Sequence, residues 1–362
     1  MGEQLGAICL KFITSATAVS AGLLHTRLTL LAAAFPHTAL RQEHNADCQR
    51  LTQQQHSRSH PAGYFALRTA DLLRLLLLAA IWGASFLFMR VAAPVLGSMP
   101  TAFFRASFGA LGLLALLLLL RSDWDFRGKL RICLGLGVIN AGLPSAMYCL
   151  AALILPAGYS AIFNATTPLM GVLIGALFFH EGITLSKAAG VFLGLLGVAV
   201  LTRTGPVAFD LQLLLGAGAC LVATTCYGFA GFLTRRWIGQ QGGLDNRLTA
   251  FASLVGASLF LLPLFVGSLA LQPPPSWGGI EVWLSLAALG LVCTAFAYVL
   301  YFRLLADIGP IRASTTTFLI PPFGVLWGAL LLGEPLSWDY LPGCLLIALA
   351  LWLVVRPSVT KR

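Results

Sequence analysis

From residue 71 to residue 356 apolar residues run in stretches of about 20, each closed by a short polar or basic segment, which predicts helices long enough to cross a bilayer. Ten such spans are expected, at 72 to 91, 97 to 120, 131 to 153, 156 to 179, 184 to 202, 212 to 236, 248 to 270, 281 to 305, 310 to 332 and 337 to 356. Residues 1 to 70 break the pattern. They hold five of the six His, a polar run LTQQQHSRSH, and one moderately apolar stretch from Ile13 to Phe35 interrupted by His25 and Arg27. A weak extra helix, a targeting peptide or an over-extended reading frame each fit this extension; the last is favoured, because nothing in it resembles the spans. No Met lies between Met1 and Met89, so a shorter start needs a non-ATG codon.

The spans repeat. PLMGVLIGALFFHE, from Pro168 to Glu181, recurs 153 positions later as PPFGVLWGALLLGE, from Pro321 to Glu334, with eight identities in fourteen positions. The same offset pairs Gly137 with Gly290, Tyr148 with Tyr301 and Gly190 with Gly343, so several helices are duplicated. Ser160, Asn164, Thr167, Gly171 and Gly175 recur at helical steps along one side, and Ala313, Thr317, Ile320, Gly324 and Gly328 do so in the second copy. The glycine pairs four apart let helix backbones approach closely. Pro168 and Pro321 lack an N–H, so each is expected to break its helix and free a carbonyl four residues back, on Asn164 and Thr317. A freed acceptor beside a polar side chain at mid-span belongs where it faces protein or a watery cavity.

Composition agrees with a membrane chain: mean hydropathy is +0.86, with 58% hydrophobic and 10% charged residues. The formal charge of +10 is scattered between apolar runs and is read as membrane orientation rather than nucleic-acid binding. If residue 71 is cytoplasmic, that side receives fifteen basic residues: Arg68, Arg74, Arg121, Arg127, Lys129, Arg131, Lys187, Arg235, Arg236, Arg247, Arg303, Arg312, Arg356, Lys361 and Arg362. The other side receives Arg90, Arg105 and Arg203. Both core termini are then cytoplasmic in a bacterial inner membrane. With five spans per copy the two copies are inverted, Glu181 on the cytoplasmic side and Glu334 on the external one. The expected fold is an all-α membrane protein of ten transmembrane helices in two inverted five-helix repeats, residues 71–203 and 204–356, followed by a tail at 357–362. Inverted repeats with polar, broken helices at the midplane are a design for transport by alternating access.

The motifs PLMGVLIGALFFHEGITLSKAAGVFLGLLGVAVL, IWGASFLFMR and FFRASFGALGLLALL, with CYGFAGFLTRR and PPFGVLWGALLLGEPLSWDYLPGCLLIALALWLVV in the second half, resemble the EamA-type branch of the drug/metabolite transporter superfamily. The resemblance covers about residues 71 to 356. It implies ten helices, the inverted repeat, and movement, often export, of small polar metabolites such as amino acids. A small-molecule substrate and the lipid bilayer are the expected partners, no nucleic acid is, and a homodimer is left open.

Candidate substrate-binding residues follow from polar and aromatic side chains inside spans. Trp82, Gly83 and Ser85 of the first span meet Tyr227, Gly228 and Ala230 at offset 145; the aromatics are cavity wall or interfacial belt. Arg105 has no acidic residue in its span, and it either holds a substrate carboxylate or snorkels to the surface. Asn140 and Tyr148 flank Pro144, while Thr294, Tyr298 and Tyr301 share a face of the eighth span; a cavity wall or interhelical hydrogen bonding accounts for either group. Asn164 and Thr317 are read as functional. Glu181 and Glu334 are read as helix-end caps or gates, and Tyr159 as a belt residue.

No acidic residue falls at mid-span, so a carboxylate proton relay has no candidate and facilitated movement or exchange is favoured. The eight Cys form no C-x-x-C, and those inside spans are read as small apolar packers. Catalysis would need a nucleophile with its base, a metal cluster or paired carboxylates, and none is legible; no cofactor or metal is expected. The competing readings are a multidrug or nucleotide-sugar carrier and a non-transporting receptor or scaffold.

Overall fold

The computed structural model describes residues 69–204, 209–274, 276–313 and 315–355. The extension up to residue 68, the tail at 357–362 and the side chains of Arg312 and Arg356 lie outside the described residues. The described chain is helical, with no strand among its residues. In order, the helices are α1 (Thr69–Leu96), α2 (Ser98–Leu119), α3 (Leu130–Ala151), α4 (Ala157–Asn164), α5 (Thr167–Phe179), α6 (Leu185–Thr204), α7 (Leu211–Trp237), α8 (Asn246–Leu271), α9 (Ile280–Gly309), α10 (Thr316–Leu332) and α11 (Tyr340–Val355). Seven helical stretches, among them α4 and α5 taken together, are long and apolar enough to cross a membrane, and α6, α10 and α11 are shorter apolar helices.

Local chemistry sets the boundaries. Gly97, at φ 92°, separates α1 from α2 in a conformation that only glycine adopts without strain. Asp210 and Asp245 cap α7 and α8, accepting the backbone N–H of Leu213 at 2.8 Å and of Arg247 at 2.7 Å. The ends of α5 and α10 are closed alike by a left-handed residue, His180 (φ 53°) and Gly333 (φ 65°). One residue on, Glu181 N–H donates to the Gly175 carbonyl at 2.9 Å and Glu334 N–H to Gly328 at 3.1 Å, the six-residue closure of a helix C-terminus. Wide π turns occur inside α3, at Val138–Gly142, and inside α9, at Ala288–Phe296. Moved by 153 positions, the first falls on 291–295, within the second.

Close crossings also recur. Helix α1 packs on α10, where a Cβ on Gly83 would come within 2.8 Å of Phe323 Cβ; α7 packs on α5, where one on Gly228 would lie 3.3 Å from the Gly171 nitrogen. Helix α3 meets α8 with Gly137 against the Ser253 carbonyl, and α9 meets α2 with Gly290 against Phe108 and the backbone of Gly109 and Arg105. Helices α6 and α11 pack on each other.

Three expectations are corrected. Pro321 breaks nothing: with Pro322 it lies inside α10, and the chain bends ahead of that helix, at Gly309 (φ 79°). Packing against α1 holds that helix together although neither proline can donate to the carbonyl four residues back. In the first half the break does lie beside Pro168, at Ala165 and Thr166, but the Asn164 carbonyl is not left open, because Thr167 Oγ1 donates to it at 2.7 Å. Threonine hydroxyls mark both breaks, Thr166 bonding the Phe163 carbonyl and Thr316 the Ala313 carbonyl, each at 2.8 Å. Tyr159 is no belt residue either. It is fully buried, with its ring 5.4 Å from that of Tyr340, because a ring partner on α11 covers it.

Candidate functional site

A cavity of about 240 Å³ opens among α1, α2, α3, α9 and the broken helices. All ten side chains singled out in the sequence line it: Trp82, Ser85, Arg105, Asn140, Tyr148, Asn164, Tyr227, Tyr298, Tyr301 and Thr317. The offset of 153 explains why so many converge. It pairs Asn140 with Cys293, Ala141 with Thr294, Ser145 with Tyr298, Tyr148 with Tyr301, Asn164 with Thr317 and Thr167 with Ile320, and both members of each pair are in the wall. Cys293, Ser145 and Thr167 are not among the expected substrate-binding residues; applying the offset to Asn140, Tyr298 and Ile320 finds them. Phe86 and Met89 were missed because apolar residues on an apolar helix carry no signal.

The wall is organised by short contacts. Tyr148 Oη donates to Asn164 Oδ1 at 2.9 Å, which joins α3 to the end of α4. The Tyr148 ring lies edge-on to Phe86, with centroids 5.3 Å apart, and 6.4 Å from the Tyr227 ring. The Trp82 and Tyr301 rings meet at 5.6 Å in the cavity wall. Thr294 Oγ1 donates five residues back to the Leu289 carbonyl at 2.9 Å, which satisfies an acceptor of the π turn. The hydroxyl thus bonds its own helix rather than a neighbour.

Arg105 turns into the cavity instead of reaching the surface. Its Nη1 lies 3.5 Å from Met89 Sδ, a weak acceptor, and it takes part in none of the ion pairs among the described residues. Arg90 is held outside the wall, its Nη1 2.7 Å from the Ala152 carbonyl. Ser85 Oγ is buried, with only the weakly bonding Cys293 thiol beside it. The glutamates stand away from the cavity: Glu334 caps α4, and Glu181 pairs with Arg235 at 2.9 Å. A larger space of about 570 Å³ beside α10 and α11 is lined mostly by apolar side chains, with Ser337, Trp338, Tyr340 and Cys344 the ones that carry a polar atom. Among the described residues no group of three His, Cys, Asp or Glu is placed to hold a metal ion.

The chain is 25% identical over 285 residues to an uncharacterized transporter of Archaeoglobus fulgidus, a match covering 78% of this chain and 97% of that one. It is 26% identical over 294 residues to the "Probable amino-acid metabolite efflux pump" of Salmonella typhimurium, covering 77% and 93%. A solved crystal structure superposes with a TM-score of 0.54 at 18% identity, covering 79% of this chain and 96% of that one, and shares its fold. The model of the EamA-like transporter family matches twice, over residues 70–203 and 214–356. With both halves matched, and with apolar helices fit to span a bilayer many times over, this multi-pass membrane protein belongs to the EamA-like transporter family, within the drug/metabolite transporter superfamily.

Proposed function

We propose that the protein is a secondary transporter that exports a small polar metabolite, amino acids and related solutes first, by alternating access through ten crossings arranged as two inverted five-helix repeats. The observation that carries this reading is the cavity wall, which is made from repeat-equivalent positions of residues 71–203 and 204–356. A chamber shared by two like halves is closed on one side or the other when the halves exchange conformations. The doubled π turns and the doubled crossings at Gly83 and Gly228 support the repeat. The packing pattern supports it further: α1 on α10 matches α7 on α5, and α3 on α8 matches α9 on α2. The name of the Salmonella typhimurium relative supports metabolite efflux. With one guanidinium in the wall, a phosphorylated nucleotide-sugar has too few cations to meet it, and a cationic drug finds no carboxylate.

The reading places the protein in a bacterial inner membrane with both core termini cytoplasmic. The test is flux: vesicles holding the purified protein release labelled amino acids faster than protein-free vesicles. A receptor or scaffold moves nothing. Reporter fusions at residues 71 and 356 test the orientation and are expected to report the same, cytoplasmic, side.

A further inference from the structure

The cavity carries one formal positive charge and no negative one. Arg105 is the sole Asp, Glu, Lys or Arg among its lining residues, and its nearest polar contact is a thioether. The scaffold does not require this arginine. Gly290 meets the α2 backbone between Arg105 and Gly109 as Gly137 meets the α8 backbone at Ser253, whose Oγ lies 3.4 Å from the Cys133 carbonyl. A serine suffices there to let two backbones meet. The guanidinium is therefore an addition to the wall, and an uncompensated charge inside a membrane is costly unless something pairs with it. Ser85 is a second donor in the same wall, 4% exposed, and its one hydrogen-bonding neighbour is the Cys293 thiol, a weak partner.

From these observations we infer that the site selects cargo of net charge −1, a small monocarboxylate whose remaining body is uncharged, and that the ammonium group of an amino acid is dispensable to recognition. The inference rests on the transport reading and narrows its substrate class. A carboxylate accepts two parallel N–H bonds from a guanidinium and a further bond from the Ser85 hydroxyl. The rest of the molecule lies against Trp82, Tyr148, Tyr227 and Tyr301. A zwitterion brings its own ammonium into a chamber that already holds a cation and no anion, so the pair remains with a net charge after loading. The Asn164 amide oxygen, one acceptor in the wall, already takes the Tyr148 hydroxyl. The volume of about 240 Å³ is below the range usual for drug-sized ligands and suits a small organic acid.

Three probes with one carbon skeleton separate the charge states: leucine, 2-hydroxy-4-methylpentanoate, in which hydroxyl replaces ammonium, and leucinamide, which is cationic. Binding is read by thermal stabilisation of the purified full chain in detergent, and transport by flux in vesicles. The hydroxy acid is expected to act at a concentration at least about tenfold lower than leucine, with leucinamide inert, as the Coulomb interaction with a partly desolvated guanidinium demands. Arg105→Gln is expected to bring the hydroxy acid and leucine to within about twofold, while Arg105→Lys keeps the order with weaker binding. Leucine acting at or below the hydroxy-acid concentration, or an unchanged preference in a folded Arg105→Gln protein, overturns the inference and leaves transport standing. A charge preference in binding without flux of any probe upholds the site and overturns the transport reading.

Discussion

Glu334 Oε1 accepts the backbone N–H of Ala157 at 2.8 Å, so a carboxylate just past α10 caps the first turn of α4, 177 residues away in the chain. The Gly158 N–H approaches its other oxygen at 3.5 Å. Unpaired N–H groups and the helix dipole both favour an anion there. Its counterpart Glu181 stands in a surface pair with Arg235. Two glutamates at one place in the repeat therefore do different work.

Glu334→Ala is expected to lower stability by about 1–2 kcal/mol, the usual cost of a lost N-cap acceptor. Glu181→Ala is expected to cost at most about 1 kcal/mol, because an exposed ion pair contributes little. Thermal unfolding of the two variants in the same detergent measures the difference.

His180 occupies a left-handed conformation that Gly333 fills in the second half. A side chain in that region costs roughly 1 kcal/mol, partly offset by the greater unfolded-state freedom of glycine. His180→Gly is expected to leave stability unchanged or raise it by up to about 1 kcal/mol, whereas Gly333→Val is expected to lower it. The same melting measurement reads both.

Gly137 and Gly135 are two residues apart on α3 and opposite in consequence. A Cβ on Gly137 would collide with the Ser253 carbonyl, whereas one on Gly135 meets nothing within 4 Å. Gly137→Val is expected to abolish a monodisperse, folded protein, and Gly135→Val to behave as the parent. Size-exclusion profiles after membrane extraction separate the two.

Asn164→Leu and Tyr301→Leu each remove a polar group from the cavity wall. Both are expected to abolish flux in vesicles while membrane insertion is kept; Tyr301→Leu stays near the parent melting temperature, and Asn164→Leu, which leaves the Tyr148 hydroxyl without its acceptor, melts lower. Tyr148→Phe, which deletes only the donor to Asn164 Oδ1, is expected to cost about 1 kcal/mol of stability.

Much of this was legible in the chain, because span-length apolar runs and a fourteen-residue echo are strong signals. The residues around the cavity could be found because polar side chains inside such runs are expensive and few. Backbone detail was not legible. Proline chemistry predicts a break at Pro321, but tertiary packing keeps α10 whole and the described kink lies upstream at Gly309. Tyr159 reads like an interfacial aromatic because its fate depends on Tyr340, which no local pattern couples to it. The π turns leave no mark in composition, since VINAG and ALGLVCTAF would wind as ordinary helix elsewhere.

Those turns bear on how the chamber is aimed. A helix advances about 100° per residue, so one surplus residue in a turn swings every later side chain by roughly that angle while the rod itself continues. Tyr148 and Tyr301 both lie downstream of such a surplus, and their inward heading depends on it. Trimming one residue from Val138–Gly142 would leave an intact helix that points its phenol elsewhere.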